Sequence, residues 1–360
     1  MKIAIIGLPN SGKTTVFNAL TRGTAETAAF SSGRLEPNLG TVKVPDPRLE
    51  VLAGIYKPQK VTPAEVQYVD IGGLGSSGER EKGLSPELLT AIGPADALLH
   101  VVRCFEDGKV PHPLESVDPQ RDLSSVETEL ILSDLLVVDR RLERLEKDLP
   151  KLSGQEKNLR LAEQKLLSRL KTVLEEETPI TDVELSREEE KLIRGYSFLS
   201  LKPLLIVLNV GEDQTPESIA VKSGYKKSLV LPLSAKVEAE LAQLEDADAA
   251  EFMEALGIKE PARERIITAS YALLRLVSFL TVGEDEVRAW TIRQGTPAAE
   301  AGGVIHSDIQ RGFIRAEVVP VEALARAGGM AAAKKQGLLR LEGKDYLLRD
   351  GDVSHFLFNV

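Results

Sequence analysis

Gly7-Leu8-Pro9-Asn10-Ser11-Gly12-Lys13-Thr14 decides the reading of this chain. An apolar run, Ile3-Ala4-Ile5-Ile6, precedes it and reads as a buried strand, and Thr15-Val16-Phe17-Asn18-Ala19-Leu20 follows with the character of a helix. Strand, glycine-rich loop and helix in that order, with the spacing G-x-x-x-x-G-K-[ST], make a phosphate-binding loop. Its glycines let successive backbone N–H groups turn towards one anion, and the helix N-terminus adds positive potential at the same place. Asn10, Ser11, Gly12, Lys13, Thr14 and Thr15 are therefore the expected nucleotide contacts. Lys13 can reach the β- and γ-phosphates as a catalytic charge, and Thr14 can offer its hydroxyl to Mg²⁺.

Short apolar strands recur along the chain. They are expected at Val66–Ile71, Ala97–Val102, Leu204–Asn209 and Ser228–Leu233. Near-continuous apolar strands separated by helices predict a mostly parallel sheet covered on both faces, an α/β fold. Between about 122 and 197 the pattern changes. Leu135, Val138, Leu142, Leu145 and Leu149 recur at three- and four-residue steps, and after Pro150 and Ser153-Gly154 a second run carries Leu159, Leu166, Leu167, Leu170 and Leu174. This spacing predicts two long helices folded back as a hairpin. From 276 onward, strands are expected at Val287–Ile292, Phe313–Val318, Asp345–Leu348 and His355–Val360, with one short helix near Val321–Ala327. The expected domains are thus 1–121 with 198–275, a helical insertion over 122–197, and a small α+β domain over 276–360.

The net charge of −10 argues against a whole-surface attraction to nucleic acid or membrane, and no DNA partner is expected. Local basic faces remain open: Arg288, Arg293, Arg311, Arg315 and Arg340 are candidates for a basic face that contacts RNA. The single cysteine, Cys104, excludes an intramolecular disulfide and reads as a small buried hydrophobe. With no signal peptide and no apolar run of membrane-spanning length, a cytoplasmic location is expected.

Further along, Asp70 ends its strand in Asp70-Ile71-Gly72-Gly73. A carboxylate there can hold Mg²⁺ through water, and Gly73 would leave a backbone N–H free to meet the γ-phosphate. Asn209-Val210-Gly211-Glu212 follows the next strand, where guanine-specific switch proteins carry Asn-Lys-x-Asp. Glu212 sits one methylene further out than that Asp, so two-point pairing with guanine should be disturbed. Ser234-Ala235-Lys236 matches the last base-side loop of the same class.

Taken with Glu36-Pro37-Asn38, Val44–Leu49, His100–Glu106, Thr128-Glu129-Leu130, Glu286–Ile292, Arg311–Glu317 and Glu342–Tyr346, these motifs resemble the YchF-type, Obg-like ATPases nearly end to end. The resemblance implies a G domain, an inserted helical hairpin, a C-terminal TGS domain of ubiquitin-like β-grasp type, ATP hydrolysis at least as good as GTP hydrolysis, and association with ribosomes. Leu74 stands where related GTPases place a water-orienting Gln, and leucine has no hydrogen bond to give. His112, in the loop Asp107–Pro113, is the candidate replacement, because family members can carry a His there. Asn10 can, by the same resemblance, help bind K⁺; its alternative role is to favour the turn geometry. Arg34 replaces a switch Thr, and Gly73–Gly78 depart from the family pattern. Three functions follow: a Mg²⁺-dependent nucleoside triphosphatase that slowly hydrolyses ATP, with or without GTP as a second substrate, and acts as a nucleotide-dependent switch on the ribosome and translation or on a stress response; a nucleotide-gated binding protein with negligible turnover; or a strict GTPase, which Val210 and Glu212 oppose.

Overall fold

Ile3, Ala4, Ile5 and Ile6 are each at most 2% exposed, and they place β1 (Lys2–Ile6) inside a sheet. The computed structural model describes residues 1–23, 37–71, 84, 86–212, 214, 219–255, 258 and 260–359. After β1 come α1 (Lys13–Thr21), β2 (Asn38–Lys43), α2 (Pro47–Tyr56), β3 (Lys60–Thr62), β4 (Glu65–Asp70), α3 (Pro86–Ile92) and β5 (Ala97–Arg103). Then follow α4 (Pro119–Asp148), α5 (Gly154–Glu175), α6 (Arg187–Ile193), β6 (Leu204–Asn209), β7 (Ser228–Leu233), α7 (Ala235–Leu241), α8 (Asp246–Ala255) and α9 (Ala262–Leu273). The chain ends in β8 (Leu276–Thr281), β9 (Glu286–Arg293), α10 (Ala298–Ile305), α11 (Ser307–Arg311), β10 (Phe313–Pro320), α12 (Val321–Ala327), α13 (Met330–Lys335), β11 (Arg340–Glu342) and β12 (Asp352–Phe358).

These elements form two units: Met1–Gly40 with Gln67–Arg263, and Thr41–Val66 with Glu264–Val360. The first sheet runs β2-β4-β1-β5-β6-β7. β1 pairs in parallel with β4 and β5, and β5, β6 and β7 continue in parallel, as the apolar runs predicted. β5 and β6 are buried at every position, as interior strands of a covered parallel sheet must be.

α4 spans 30 residues, about 45 Å of helix. Asp118 caps it by accepting from the Arg121 N–H at 3.0 Å, and Pro119 occupies the first turn, where its missing N–H costs nothing. Its first half buries Leu123, Val126 and Leu130 in the core beside the sheet. Its second half buries Val138 and Leu145 in a separate core with Leu166, Leu167, Leu170 and Leu174 of α5. One helix therefore joins two cores. Leu159 departs from the expected stripe and is 51% exposed. Asp134 accepts from the backbone N–H groups of Leu199 (2.8 Å) and Ser200 (2.7 Å), fixing where the chain returns to the sheet. In the hairpin, Glu163 accepts two bonds from Arg141 (2.8 and 3.0 Å), one from Arg160 (2.8 Å) and one from Tyr196.

The second unit holds a mixed sheet in the order β11-β10-β12-β8-β9-β3. β8 and β9 are antiparallel, β12 joins β8 in parallel, and α10 lays Ala298 and Ala301 against Phe279, Ile292, Ala316, Val318 and Phe356. Helix across a sheet whose first and last strands are parallel neighbours is the β-grasp arrangement. Three expectations need correcting here. The segment Thr41–Val66 belongs with the C-terminal unit, not with 1–121, because β3 adds to β9 in parallel (Lys60↔Glu286, Thr62↔Arg288), and residues 264–275 go with it. Asp345–Leu348 forms no strand. Tyr346 Oη donates to Asp352 at 2.9 Å and accepts from Arg340 at 2.8 Å, so the segment is held by its side chain and one isolated bridge, Pro297↔Leu347. Two members of the expected basic face stand well apart. Arg288 on β9 and Arg340 on β11 lie four strand spacings apart, about 19 Å. Each is also engaged locally, Arg288 over the Trp290 ring at 3.9 Å and Arg340 over Tyr346 at 5.3 Å.

A pH test follows from the hairpin. Burial alone would raise the Glu163 carboxyl, but the bonds from Arg141, Tyr196 and Arg160 outweigh it and hold the group at about 2, against an ordinary 4.5. The unfolded chain then binds this proton more readily than the folded one. The stabilisation is complete above pH 4.5 and is lost as pH falls towards 2. Glu163→Gln should lower stability by about 2 kcal/mol near pH 7, and urea melts should show the gap from the parent closing below about pH 4.

Candidate functional site

The loop between β1 and α1 is shaped by what surrounds it. Gly7 has φ 146°, and a Cβ there would lie 2.4 Å from the Val101 carbonyl oxygen. Gly12 has φ 92°, and a Cβ there would lie 2.3 Å from Asn209 Nδ2. Only glycine satisfies both constraints. Asn10 also sits in the left-handed region at φ 62°, which Asn tolerates better than other side chains. α1 starts at Lys13 with no side-chain cap and no acidic residue in its first turn, so its leading N–H groups face an anion site without competition.

Lys13 is 6% exposed, and its Nζ donates to the carbonyl oxygens of Gly7 (3.0 Å) and Leu8 (2.8 Å). Burial lowers its ammonium to about 8, with Asp70 pulling the other way. Thr14 Oγ1 donates to Asp70 Oδ2 at 2.8 Å, while the buried Asp70 Oδ1 has no partner among the described residues. Ser11 Oγ is likewise buried and unpartnered among them. A hydroxyl and a carboxylate with one oxygen to spare suit a hard cation that takes its remaining oxygens from phosphate and water. Among the described residues no group of three or more His, Cys, Asp and Glu side chains is assembled for a metal. Thr15 follows, half-buried, on α1. Gly73, Arg34 and Leu74 lie outside the described residues.

On the base side, one side chain joins three segments. Asn209 Nδ2 donates to the Ser11 carbonyl at 2.9 Å, and its Oδ1 accepts from the Ala235 N–H at 3.1 Å. Ser234 Oγ is buried and unpartnered beside them. Val210 is 4% exposed in the core, so only its main chain can face a base. Glu212 Oε1 pairs with Lys236 Nζ at 2.9 Å on the exposed rim. The carboxylate that would read guanine is thus engaged by a lysine.

His112 comes close to the phosphate loop through its own loop, because Asn10 Nδ2 donates to the Pro111 carbonyl at 3.0 Å. The imidazole side chain is 4% exposed. Its Nε2 bonds Asp122 Oδ2 at 2.8 Å, and its Nδ1 accepts from the Leu114 N–H at 3.1 Å. Three residues were not singled out from sequence. Arg103 stitches the loop together, donating to Phe105 O and Val110 O, both at 3.0 Å. Asp122 is 2% exposed, and Arg121 donates to its Oδ1 at 3.0 and 2.8 Å. His100 is fully buried on β5, and burial with Lys13 nearby lowers it to about 3, so it stays neutral. The Asp118-Pro119 start signal could have directed attention to the first turn that carries Asp122. Burial pushes the Cys104 thiol up to about 12, in keeping with an inert hydrophobe.

Comparison with known proteins agrees with this geometry. A family model described as "50S ribosome-binding GTPase" matches residues 2–165, and YchF-GTPase_C, described as "Protein of unknown function (DUF933)", matches residues 276–359. The chain is 42% identical over 367 residues to "Ribosome-binding ATPase YchF" of Haemophilus influenzae, covering 100% of this chain and 99% of the relative. It is 42% identical over 364 residues to the Bacillus subtilis protein of the same name, covering 99% and 98%. The solved Schizosaccharomyces pombe YchF GTPase superposes with a TM-score of 0.85 at 30% identity, over 99% of this chain and 97% of that one. The chain belongs to the YchF family.

Proposed function

We propose that this protein is a Mg²⁺-dependent, phosphate-loop ATPase that binds ribosomes in a nucleotide-dependent way; its full-length relatives carry the name ribosome-binding ATPase. The observation that carries the reading is the assembly of Lys13, Thr14 and Asp70 at the start of α1, with Asp70 Oδ1 and Ser11 Oγ buried and unpartnered. Lys13 would exchange two neutral carbonyl partners for phosphate oxygens. Thr14 and Asp70 would hold Mg²⁺, which supplies charge neutralisation at the β- and γ-phosphates. Asn10, Ser11, Gly12, Thr15 and Gly73 would complete the phosphate cradle, and Asn209, Val210, Glu212, Ser234 and Ala235 the base side. ATP is favoured over GTP because Glu212 is paired with Lys236. His112 would orient the attacking water, and Asn10 would contribute to a K⁺ site. The hairpin of α4 and α5 and the β-grasp unit would contact the ribosome, in the cytoplasm.

A second reading, a nucleotide-gated binder without turnover, has one observation on its side: both ring nitrogens of His112 are engaged.

Two measurements separate these readings. Titration with Mg-ATP and Mg-GTP should show ATP binding more tightly, and Lys13→Ala should weaken ATP by at least about tenfold, 1.4 kcal/mol. Equal or tighter GTP binding would reverse the base assignment. Hydrolysis should be faster in K⁺ than in Na⁺, and His112→Ala should lower kcat by roughly a hundredfold with KM little changed. Tight binding with no turnover in either salt would leave the gated binder standing.

A further inference from the structure

His112 is held in a conformation in which it cannot do what the hydrolysis reading asks of it. The Leu114 N–H donates to Nδ1, so that nitrogen carries the lone pair and the ring proton sits on Nε2, directed to Asp122. A neutral imidazole has one lone pair and one N–H, and both are used. With its side chain 4% exposed, the ring also presents no face to a water.

The holder is not part of the His112 loop. Asp122 lies in the first turn of α4 and is fixed there from two sides. Arg121 donates twice to its Oδ1 and anchors Ser116 by a further bond to the Ser116 carbonyl at 2.6 Å. Leu123, the next residue, is fully buried in the core beside the sheet. The other end of the same helix runs out along α5. One helix thus connects the core of the hairpin to the turn that carries Asp122.

We propose that Asp122 is the positioning residue of the hydrolysis site: it holds His112 away from the nucleotide, and a shift of the first turn of α4 releases the ring to meet water at the γ-phosphate. The Asn10–Pro111 bond keeps the loop beside the phosphate loop while the ring is held, so release needs rotation of one side chain and no refolding of the loop. A partner that grips the helical hairpin thereby acquires a route to the chemistry. The proposal rests on the reading of His112 as the water-orienting group.

The full-length protein and the variants Asp122→Ala, Asp122→Asn, His112→Ala and His112→Ala/Asp122→Ala should be compared in steady-state hydrolysis of Mg-ATP. Loss of the charge-assisted bond should raise kcat in Asp122→Ala by roughly fivefold to tenfold, with a smaller rise in Asp122→Asn and KM unchanged. In the His112→Ala background the Asp122 substitution should do nothing. A purely structural Asp122 would lower kcat or leave it unchanged, and either result overturns the proposal. Undiminished hydrolysis in His112→Ala overturns the reading beneath it instead. If the Asp122 variants do not fold, the parent protein still decides. The chain has only four histidines, and two-bond ¹H–¹⁵N spectra, with His112 identified by its loss in His112→Ala, report the tautomer. The Nε2–H form in the parent, lost in Asp122→Asn or Asp122→Ala where these fold, supports the latch. An Nδ1–H form in the parent refutes it.

Discussion

The Asn209 amide stands where a side chain on residue 12 would have to be, and much of the nucleotide site depends on that contact. Its nitrogen lies 2.3 Å from the Cβ position of Gly12 and bonds the Ser11 carbonyl 198 residues away, while its oxygen accepts from Ala235. The phosphate loop, the end of β6 and the start of α7 are therefore set relative to one another by a single planar group. On the opposite side Gly7 rests against the Val101 carbonyl, so the loop is clamped between β5 and β6 with no room for a side chain at residue 7 or 12. A loop held this way has little freedom left to lose when an anion arrives, which is how preorganisation favours binding.

Charge is handled in the same spirit. Lys13 is a nearly buried cation that would be costly alone, and two carbonyl oxygens carry it. Those acceptors are neutral, so the ammonium gains by moving to an anionic one. Asp70 is a buried carboxylate with one oxygen satisfied by Thr14 and the other free. Both groups are stabilised enough to fold and left incomplete enough to bind. Asp122 shows the opposite arrangement. It is saturated by Arg121 and His112, and its role is to hold rather than to receive.

Much of this was legible in the residues, and the parts that were not share a cause. The phosphate loop carries its own context, and β1, β5 and β6 announce themselves because both of their faces are buried. The repeat from Leu135 to Leu174 predicted the two helices, yet not that Leu159 would face solvent, because periodicity marks a stripe and not where its partner ends. β3 has three residues, too few for an alternation to show, and its partner lies more than two hundred positions away. Asp345–Leu348 looked like a strand because it is rich in strand formers, whereas Tyr346 is held by Arg340 and Asp352. The His112–Asp122 pair spans ten residues and a turn that no pattern specifies. Local order was readable; pairings made by single side chains across loops were not.

The place of β3 in the chain also sets an order of assembly. It pairs with β9, and Thr62 bonds Glu286, 224 residues later. At roughly 5–20 residues per second, synthesis separates the two by about 10–45 s. Throughout that interval the segment from Thr41 to Val66 has been made and the sheet it will join has not. β12, which bridges β8 and β10, is made last of all. The C-terminal unit is thus begun early, interrupted by most of its neighbour, and completed only once β12 has been made, whereas the last strand of the first sheet is already made by residue 233.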